Sequence, residues 1–494
     1  MWLEFKSLPL VISLLALLVM TMLVPAMYGL LFGEVYQGRT FLYAVLLGSF
    51  SLTFIWLAVK NNPKPSKRHT DLWSLLAFFI VFPIVLAVPF QESLETGKII
   101  DAYLDLVSVI TTTGLKVYPD SYLTVTLVVW RVCLGWICGF LMWVFAWSIF
   151  APLNLGGFEL LEIKSNQKAA SKKGFIDRGR LPSEKFWSEA VRLAPIYIGI
   201  TVFCSIALLI STREPGFAVL RAMSTVATFG IYLPGEGARG FTGELILVIV
   251  MMFALSRATF SSQFSRKNYF FELFHDREFR LGLAIFFCST IIIFCLTLKT
   301  EFEFSQVLKV LWGACFTSIS FLTTTGLVSE FLPADFITFI KANLILSALA
   351  MFGGGVATTA GGIKLLRIYI LSIHCKSEVY HLLSPARVIT GQNDLKVKNY
   401  NNAMLACVFF MVFILSFALI TLGLSLTGSS VNEAATLTLG TITNTGPIID
   451  QFKVSSVPII EFEFLAKIIL VVSMVLGRIE VLALLALLNP DIYS

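Results

Sequence analysis

The sequence has little charge. Asp, Glu, Lys and Arg make up 14% of its 494 residues, against about 25% in a soluble domain. It has no C-x-x-C pair, and its four histidines (His69, His275, His374 and His381) are scattered. These absences leave no thiol redox motif, no zinc-type ligand set and no His/Asp/Glu cluster within an apolar run, so a membrane enzyme is not expected. The eight cysteines (Cys133, Cys138, Cys204, Cys288, Cys295, Cys315, Cys375 and Cys407) sit mostly inside apolar runs. They read as buried reduced thiols, because free Cys packs as a small hydrophobe.

What is abundant is apolar surface: 57% of residues are hydrophobic and the mean hydropathy is +0.83. That places the chain in a bilayer and excludes a soluble enzyme, a secreted disulfide scaffold, a nucleic-acid binder and a disordered protein. A membrane helix needs about 20 apolar residues. Candidate spans lie near 8–33, 41–59, 72–90, 123–153, 187–211, 241–260, 280–298, 335–373, 402–425 and 462–488. The first is too long for a signal-peptide core and reads as a retained helix. The run 335–373 is too long for one straight span and contains a glycine cluster, so a break is expected there.

The net charge of +6 follows from basic connections. Lys60, Lys64, Lys67 and Arg68 lie in 60–71; Lys164, Lys168, Lys172, Lys173, Arg178, Arg180 and Lys185 in 154–186. Arg266, Lys267, Arg277 and Arg280 lie in 262–280; Lys376, Arg387, Lys396 and Lys398 in 374–400. The positive-inside rule puts these connections, and with them both termini, in the cytoplasm. No cytoplasmic stretch is long enough for a regulatory domain.

Four shorter apolar segments, near 100–113, 216–229, 306–325 and 431–445, then fall on the external side. Twelve helical residues rise only about 18 Å, half a bilayer. Such segments are re-entrant helices or interfacial loop helices. Each ends in a related motif. The first reads Ile110, Thr111, Thr112, Thr113, Gly114; the second Val226, Ala227, Thr228, Phe229, Gly230. The third reads Leu322, Thr323, Thr324, Thr325, Gly326; the fourth Ile442, Thr443, Asn444, Thr445, Gly446. Ser108, Ser224 and Ser320 precede the first three glycines by six positions. Four copies between long spans indicate a repeated unit: span, half-helix, Gly-ended loop, span. Irregular backbone at membrane depth is tolerated only where it is buried or lines water. Four such loops around an axis present carbonyl rings, which replace the hydration shell of a monovalent cation. Glycine permits the positive φ that turns a carbonyl inward. The half-helices aim negative C-terminal ends at the centre. Packing loops of a transporter bundle are the alternative.

With these motifs the sequence resembles the Trk/Ktr/HKT superfamily of potassium transporters, most closely the bacterial Trk-type pore subunits, over about 70–490. The run from Gly353, Gly354 and Gly355 to Gly361, Gly362 and Lys364 resembles the family's intramembrane gate loop. Gly477, Arg478 and Glu480 in the last span sharpen the match. The resemblance implies an all-α polytopic membrane protein with four covalent repeats around a central pore. Residues 1–70 would hold two extra N-terminal spans, and 71–160, 161–270, 271–380 and 381–494 the four pore repeats. It also implies potassium as the transported ion, symport among the family's modes, a bacterial inner-membrane location, a homodimer in membrane lipid and a cytosolic nucleotide-binding regulatory ring.

The residues carry alternatives of their own. The glycine cluster is not a phosphate-binding loop, since Ile363 precedes Lys364 and Leu365 follows it; a flexible hinge is the other reading. Arg478, in an apolar span, needs interior partners or must snorkel. Glu480 lies two residues on, on another helix face, so carbonyls of 353–362 are the better partners. Lys364 and Arg367 read as interface charges. Phe229 departs from the family's small residue, and its ring is expected to pack behind the loop against the second repeat's helices. If it does not, a less selective sodium/potassium pathway follows. Asp101, Asp105, Asp120, Glu330, Asp335 and Asp450 on the outer side raise local cation concentration or are plain solvated charges. A secondary transporter of a small solute would show two related halves with charged groups near helix breaks; the sequence shows four quarters with uncharged loops.

Overall fold

The computed structural model describes residues 9–60, 68–94, 97–151, 182–212, 214–231, 240–256, 276–297, 304–333, 340–383, 393–452 and 458–480. Among these residues all regular structure is helical. The basic residues Lys64, Lys67, Lys164, Lys168, Lys172, Lys173, Arg178, Arg180, Arg266, Lys267 and Arg387, and the acidic Asp335, lie outside them.

The N-terminal part comprises α1 (Leu10–Thr21), α2 (Leu23–Phe32) and α3 (Val35–Lys60). Next come α4 (Arg68–Ile80), α5 (Phe82–Ser93), the short α6 (Ile99–Ile110) and α7 (Val125–Phe145), which runs into a π-turn at Ala146–Phe150. The middle holds α8 (Pro182–Thr212), the short α9 (Pro215–Val226), α10 (Gly240–Met252), α11 (Arg277–Thr297) and α12 (Phe304–Leu322). The remainder is α13 (Ile340–Phe352), α14 (Leu365–Leu383), α15 (Asn393–Leu426), the short α16 (Val431–Ile442), α17 (Pro447–Phe452) and α18 (Phe464–Ile479). Seven of the ten expected spans are long and apolar enough to cross a membrane among the described residues; α10, α13 and α18 are shorter. The expected break in 335–373 falls between Phe352 and Leu365. Three of the four re-entrant candidates are 12-residue helices. The third is longer than a half-span, at 19 residues.

Local signals start these helices. Pro83, which has no N–H to give the preceding turn, marks the break between α4 and α5 at Val81. Pro215 opens α9, where a missing N–H costs nothing. Ser430 and Glu433 form a reciprocal capping box at α16, with Glu433 N donating to Ser430 Oγ at 3.3 Å and Ser430 N to Glu433 Oε2 at 3.1 Å.

Each short helix packs between the two spans that flank it. The first three also touch a span belonging to another unit: α9 rests on α7, α12 on α10, and α6 reaches round to α18. The apolar sides left over face outward. On α3, Leu47 and Phe50 are 68% and 62% exposed, as expected for a helix against lipid rather than core. Cys288, Cys295 and Cys375 are likewise exposed, which corrects the expectation of uniformly buried thiols; Cys133, Cys138 and Cys204 are buried.

The N-terminal pair is fastened to the rest by Glu34, in the turn between α2 and α3. Its carboxylate accepts from Val125 N at 3.1 Å and Thr126 N at 2.9 Å, the first donors of α7. Thr124 makes no side-chain cap there. Partial burial pushes the Glu34 carboxyl up, but hydrogen bonds from Thr126, Thr124 and Val125 outweigh it and hold it below its ordinary value. The folded state therefore prefers the ionised form. That contribution is present above the unfolded pKa of about 4.3 and is lost as pH falls through the lower folded value. Glu34→Ala is expected to destabilise the detergent-solubilised protein by about 1 kcal/mol at neutral pH. The gap to wild type should close in thermal unfolding run below about pH 4.

Candidate functional site

The four Gly-ended segments share one local geometry. At the position before each glycine, the backbone N–H donates to the carbonyl five residues back: Thr113 to Ser108 at 2.8 Å, Phe229 to Ser224 at 3.0 Å, Thr325 to Ser320 at 2.9 Å and Thr445 to Gly440 at 2.8 Å. Two residues before each glycine the chain enters the left-handed region, with φ of 52° at Thr112, 51° at Thr228, 58° at Thr324 and 53° at Asn444. Asn tolerates this region; β-branched Thr does not, at a cost of order 1–3 kcal/mol each. The sequence carried no signal for strain at these threonines. The recurrent serine turns the chain out of the loop, since Ser108 Oγ accepts from Leu115 N and Ser320 Oγ from Leu327 N, each at 2.6 Å.

The segments also meet one another in cyclic order. A Cβ on Gly114 would lie 1.9 Å from the Phe229 carbonyl oxygen, and one on Gly230 2.2 Å from that of Thr325. One on Gly326 would strike Pro447 at 2.9 Å, and one on Gly446 the backbone of Gly114 and Leu115 at 2.5–2.7 Å. Gly446 N donates to Thr113 O at 2.7 Å, and Asn444 Nδ2 to Thr113 Oγ1 at 2.9 Å. The first three glycines have φ of 74°, 71° and 76°. Gly446 lies outside that region, so its requirement is close approach and not positive φ.

Phe229 is fully buried, and its ring reaches a helix outside the second unit. It rests on Gly135 of α7, where a Cβ would come within 2.8–3.0 Å of three ring atoms. The missing side chain opens a socket behind the loop.

Beneath the segments, residues 353–364 interrupt the broken span. The stems are pinched together: Ile363 N donates to Met351 O at 2.9 Å and Lys364 N to Phe352 O at 3.1 Å. A Cβ on Gly353 would lie 2.2 Å from Gly361 O, and one on Gly362 2.7 Å from Gly353 Cα. Gly355 N donates to Ala254 O at 3.1 Å, and Val356 N to Glu278 Oε1 at 3.2 Å. The tip touches three of the Gly-ended segments. Gly361 N donates to Thr324 Oγ1 at 2.8 Å, and Thr359 Oγ1 to Val226 O at 3.3 Å. A Cβ on Gly361 would meet Thr443 O at 2.1 Å. Arg478 is buried and its Nη1 donates to Thr359 O at 2.8 Å, the kind of partner expected. Gly477 lets α18 approach Ile442 O, which a Cβ would meet at 2.2 Å.

Lys364 and Arg367 are not interface charges. Both are buried. Lys364 Nζ donates to Ala360 O. Arg367 pairs with Glu480 at 2.6 Å and stacks over the Phe409 ring at 3.6 Å. Asp101 and Asp105 are also corrected. Both are buried, paired with Lys467 and Arg131 respectively, and add nothing to an outer field. Asp120, Glu330 and Asp450 remain exposed. Sequence reasoning passed over Arg131, Lys467, Glu244 and Glu278; the first three are lone charges at or within apolar runs, the signal used for Arg478, whereas Glu278 stands among Asp276, Arg277 and Arg280. Glu244 accepts from Trp312 Nε1 at 2.9 Å, Ser329 Oγ at 2.8 Å and Glu330 N at 3.0 Å, clamping the chain beyond the third segment. Among the described residues no group of three or more His, Cys, Asp or Glu forms a metal site.

Long apolar helices, with short helices ending in buried irregular backbone and an interrupted span beneath, are those of a polytopic membrane protein. No protein-family model matches the chain. It is 26% identical to the Trk system potassium uptake protein TrkH of Vibrio parahaemolyticus, covering 99% of both. It is 28% identical to the protein of that name from Halomonas elongata and 27% to that of Escherichia coli K12, covering 98–99% of this chain and 99% of each relative. The crystal structure of the potassium transporter TrkH from Vibrio parahaemolyticus superposes with a TM-score of 0.77 at 25% identity, over 99% of this chain and 100% of that one. The chain is similar along 98–99% of its length to these Trk system potassium uptake proteins. These homologues are named for transport, not for catalysis.

The Phe229 socket makes a prediction. Gly135→Val should destabilise the purified protein by about 1–3 kcal/mol through overpacking. Phe229→Thr should cost about 3 kcal/mol by emptying the socket while keeping rubidium uptake. In the double variant the two losses should fail to add by about 1 kcal/mol or more. Additive losses in thermal unfolding would contradict the contact.

Proposed function

We propose that this chain is the potassium-uptake pore subunit of a Trk-type system. The four Gly-ended segments form its selectivity filter and the loop 353–364 with Arg478 forms its gate. The observation that carries this is the cyclic order of the four segments, each with the same backbone turn and each abutting the next. In that reading the backbone carbonyls of 110–114, 226–230, 322–326 and 442–446 replace the water around a dehydrated potassium ion. The four helices that lead into the segments, three of them half-spans and the third longer, direct their negative ends toward it. The hydrophobic socket for Phe229 supports a potassium-selective filter over a less selective one, because the ring has a place away from the ion path. Ten spans in all, an extra N-terminal pair followed by four repeats of two spans each, both termini in the cytoplasm, and a place in the bacterial inner membrane complete the proposal. The relatives' name as Trk system proteins supports work with further components; a homodimer on a cytosolic nucleotide-binding ring is the assembly we propose.

The test is rubidium uptake in cells without their own potassium systems, compared with sodium. Wild type should take up rubidium. Gly114→Ser puts a side chain both at φ of 74° and against Phe229 O. Left-handed strain of order 1–3 kcal/mol distorts the turn, and a loss of about 1.4 kcal/mol in potassium preference is a tenfold loss of discrimination against sodium, the change expected. Unchanged discrimination in an inserted, folded variant would contradict the filter.

The gate is tested separately. Arg478 is a cation below the proposed filter, so it opposes cation passage, and it holds the loop through Thr359 O. Arg478→Ala, or deletion of several residues from 353–362, should raise cation flux in proteoliposomes that contain no cytosolic partner. A stable Arg478→Ala protein with wild-type or lower flux, and no gain on shortening the loop, would contradict the gate and leave the filter standing.

A further inference from the structure

We propose that the cavity beside Arg478 is a binding site for a small monovalent anion of the halide class, which bridges the last span to the loop 353–364. The cavity measures about 30 Å³ and is lined by Ala146, Phe150, Thr358, Lys364, Arg478 and Glu480, among others. One water needs about 10–15 Å³ of such space, so the cavity accommodates about two waters or one halide-sized ion and excludes phosphate-sized groups.

Three observations call for negative charge here. Arg478 is 6% exposed, and of its nitrogens only Nη1 has a partner; Nε and Nη2 find no acceptor among the described residues. A guanidinium carries five donors and cannot shed its charge, so burial leaves those donors in need of acceptors. Its electrostatic neighbours are Cys138 and Tyr197, both neutral groups, and no described carboxylate pairs with it. Lys364, also in the wall, feels Glu480, Arg478, Arg367 and Glu278. With Lys364 itself that makes three cations against two carboxylates, and Glu480 is already engaged by Arg367. Water satisfies donors but leaves the excess positive charge uncompensated in a low-dielectric interior, which is strongly unfavourable. A halide satisfies donors and balances the charge. The apolar walls from Phe150 and Ala146 suit a large, weakly hydrated ion. The π-turn at Ala146–Phe150 shapes that wall, a departure from α-helix that recurs at functional sites.

Bound there, the anion touches Arg478 on α18 and Lys364 at the foot of the loop, and so stabilises the arrangement in which the loop lies under the four segments. This inference stands on the cavity and its charges and not on potassium as the transported ion. The test therefore reads binding, not transport.

The purified protein is to be unfolded thermally in potassium gluconate replaced stepwise by potassium chloride or bromide, at constant potassium and ionic strength. A ligand that binds only the folded state raises the midpoint in a saturable way; a rise of about 2–4 °C is expected. Bromide is the sharper probe, because a non-specific effect of a weakly hydrated anion lowers the midpoint instead of raising it. Arg478→Gln should abolish the rise. Crystals grown in bromide should show an anomalous peak within hydrogen-bond distance of Arg478 Nη2. An anion-independent midpoint with no bromide peak means that water fills the cavity and overturns the proposal. A rise that persists in Arg478→Gln places the anion elsewhere and overturns it too. If that variant does not fold, the bromide peak in the wild-type protein decides alone.

Discussion

A backbone N–H or C=O inside a membrane must find a partner within the protein, and the centre of this molecule is organised around that constraint. Helices meet it internally. The four Gly-ended segments and the loop 353–364 cannot, so many of their donors are placed by specific contacts. The N–H before each glycine returns to its own half-helix, Gly446 N crosses to Thr113 O, and Gly355 N reaches Ala254 O. Gly361 N takes a threonine hydroxyl from another segment and Val356 N a glutamate oxygen. The left-handed threonines are the counterpart of this economy. Strain in the chain is accepted because the surrounding contacts over-determine it.

Close approach, more than conformational freedom, explains the glycines. Gly135, Gly361, Gly446 and Gly477 lie outside the left-handed region, yet a Cβ on each would collide with a neighbouring segment or ring. They bring α7, the loop tip, the fourth segment and α18 to backbone distance of one another. The buried ion pairs act on a coarser scale. Asp105–Arg131 ties α6 to α7, Asp101–Lys467 ties α6 to α18, and Arg367–Glu480 ties α14 to the end of α18. Pairs so buried contribute little net stability, but losing one partner leaves a charge in the interior and is severe. Their effect is to penalise any arrangement in which those helices are displaced.

Much of this was legible in the residues. Apolar runs located the helices, the recurring glycine located the four turns, and the glycine cluster located the break between Phe352 and Leu365. Arg478 was readable because a lone charge in an apolar span demands partners, and a loop carbonyl was the partner inferred. What escaped had physical reasons. Periodicity reports apolarity, not contact order, so nothing indicated that the Phe229 ring would cross to Gly135, 94 positions earlier. Lys364 and Arg367 looked like boundary charges because a break in a span resembles its end. Asp101 and Asp105 looked solvated because their partners, Lys467 and Arg131, lie on other helices. The strain at Thr112, Thr228 and Thr324 has no signature in residue type, since β-branched Thr is poorly suited to positive φ.

The contact between Asn444 and Thr113 joins residues 331 apart in the chain. At about 5–20 residues per second, a ribosome needs roughly 17–66 s to make the intervening segment. For that interval the first turn is already made while its neighbour in the circle does not exist. Thr113 O and Thr113 Oγ1 must then wait without their final donors. The first half-helix is the one carrying two acidic residues, and one of them waits for Lys467, made later still. Biogenesis therefore passes through a stage at which a polar, incompletely bonded hairpin is held by its flanking spans α5 and α7 and by Arg131, and the order of manufacture, not only the finished packing, bears on which pairs the chain can use.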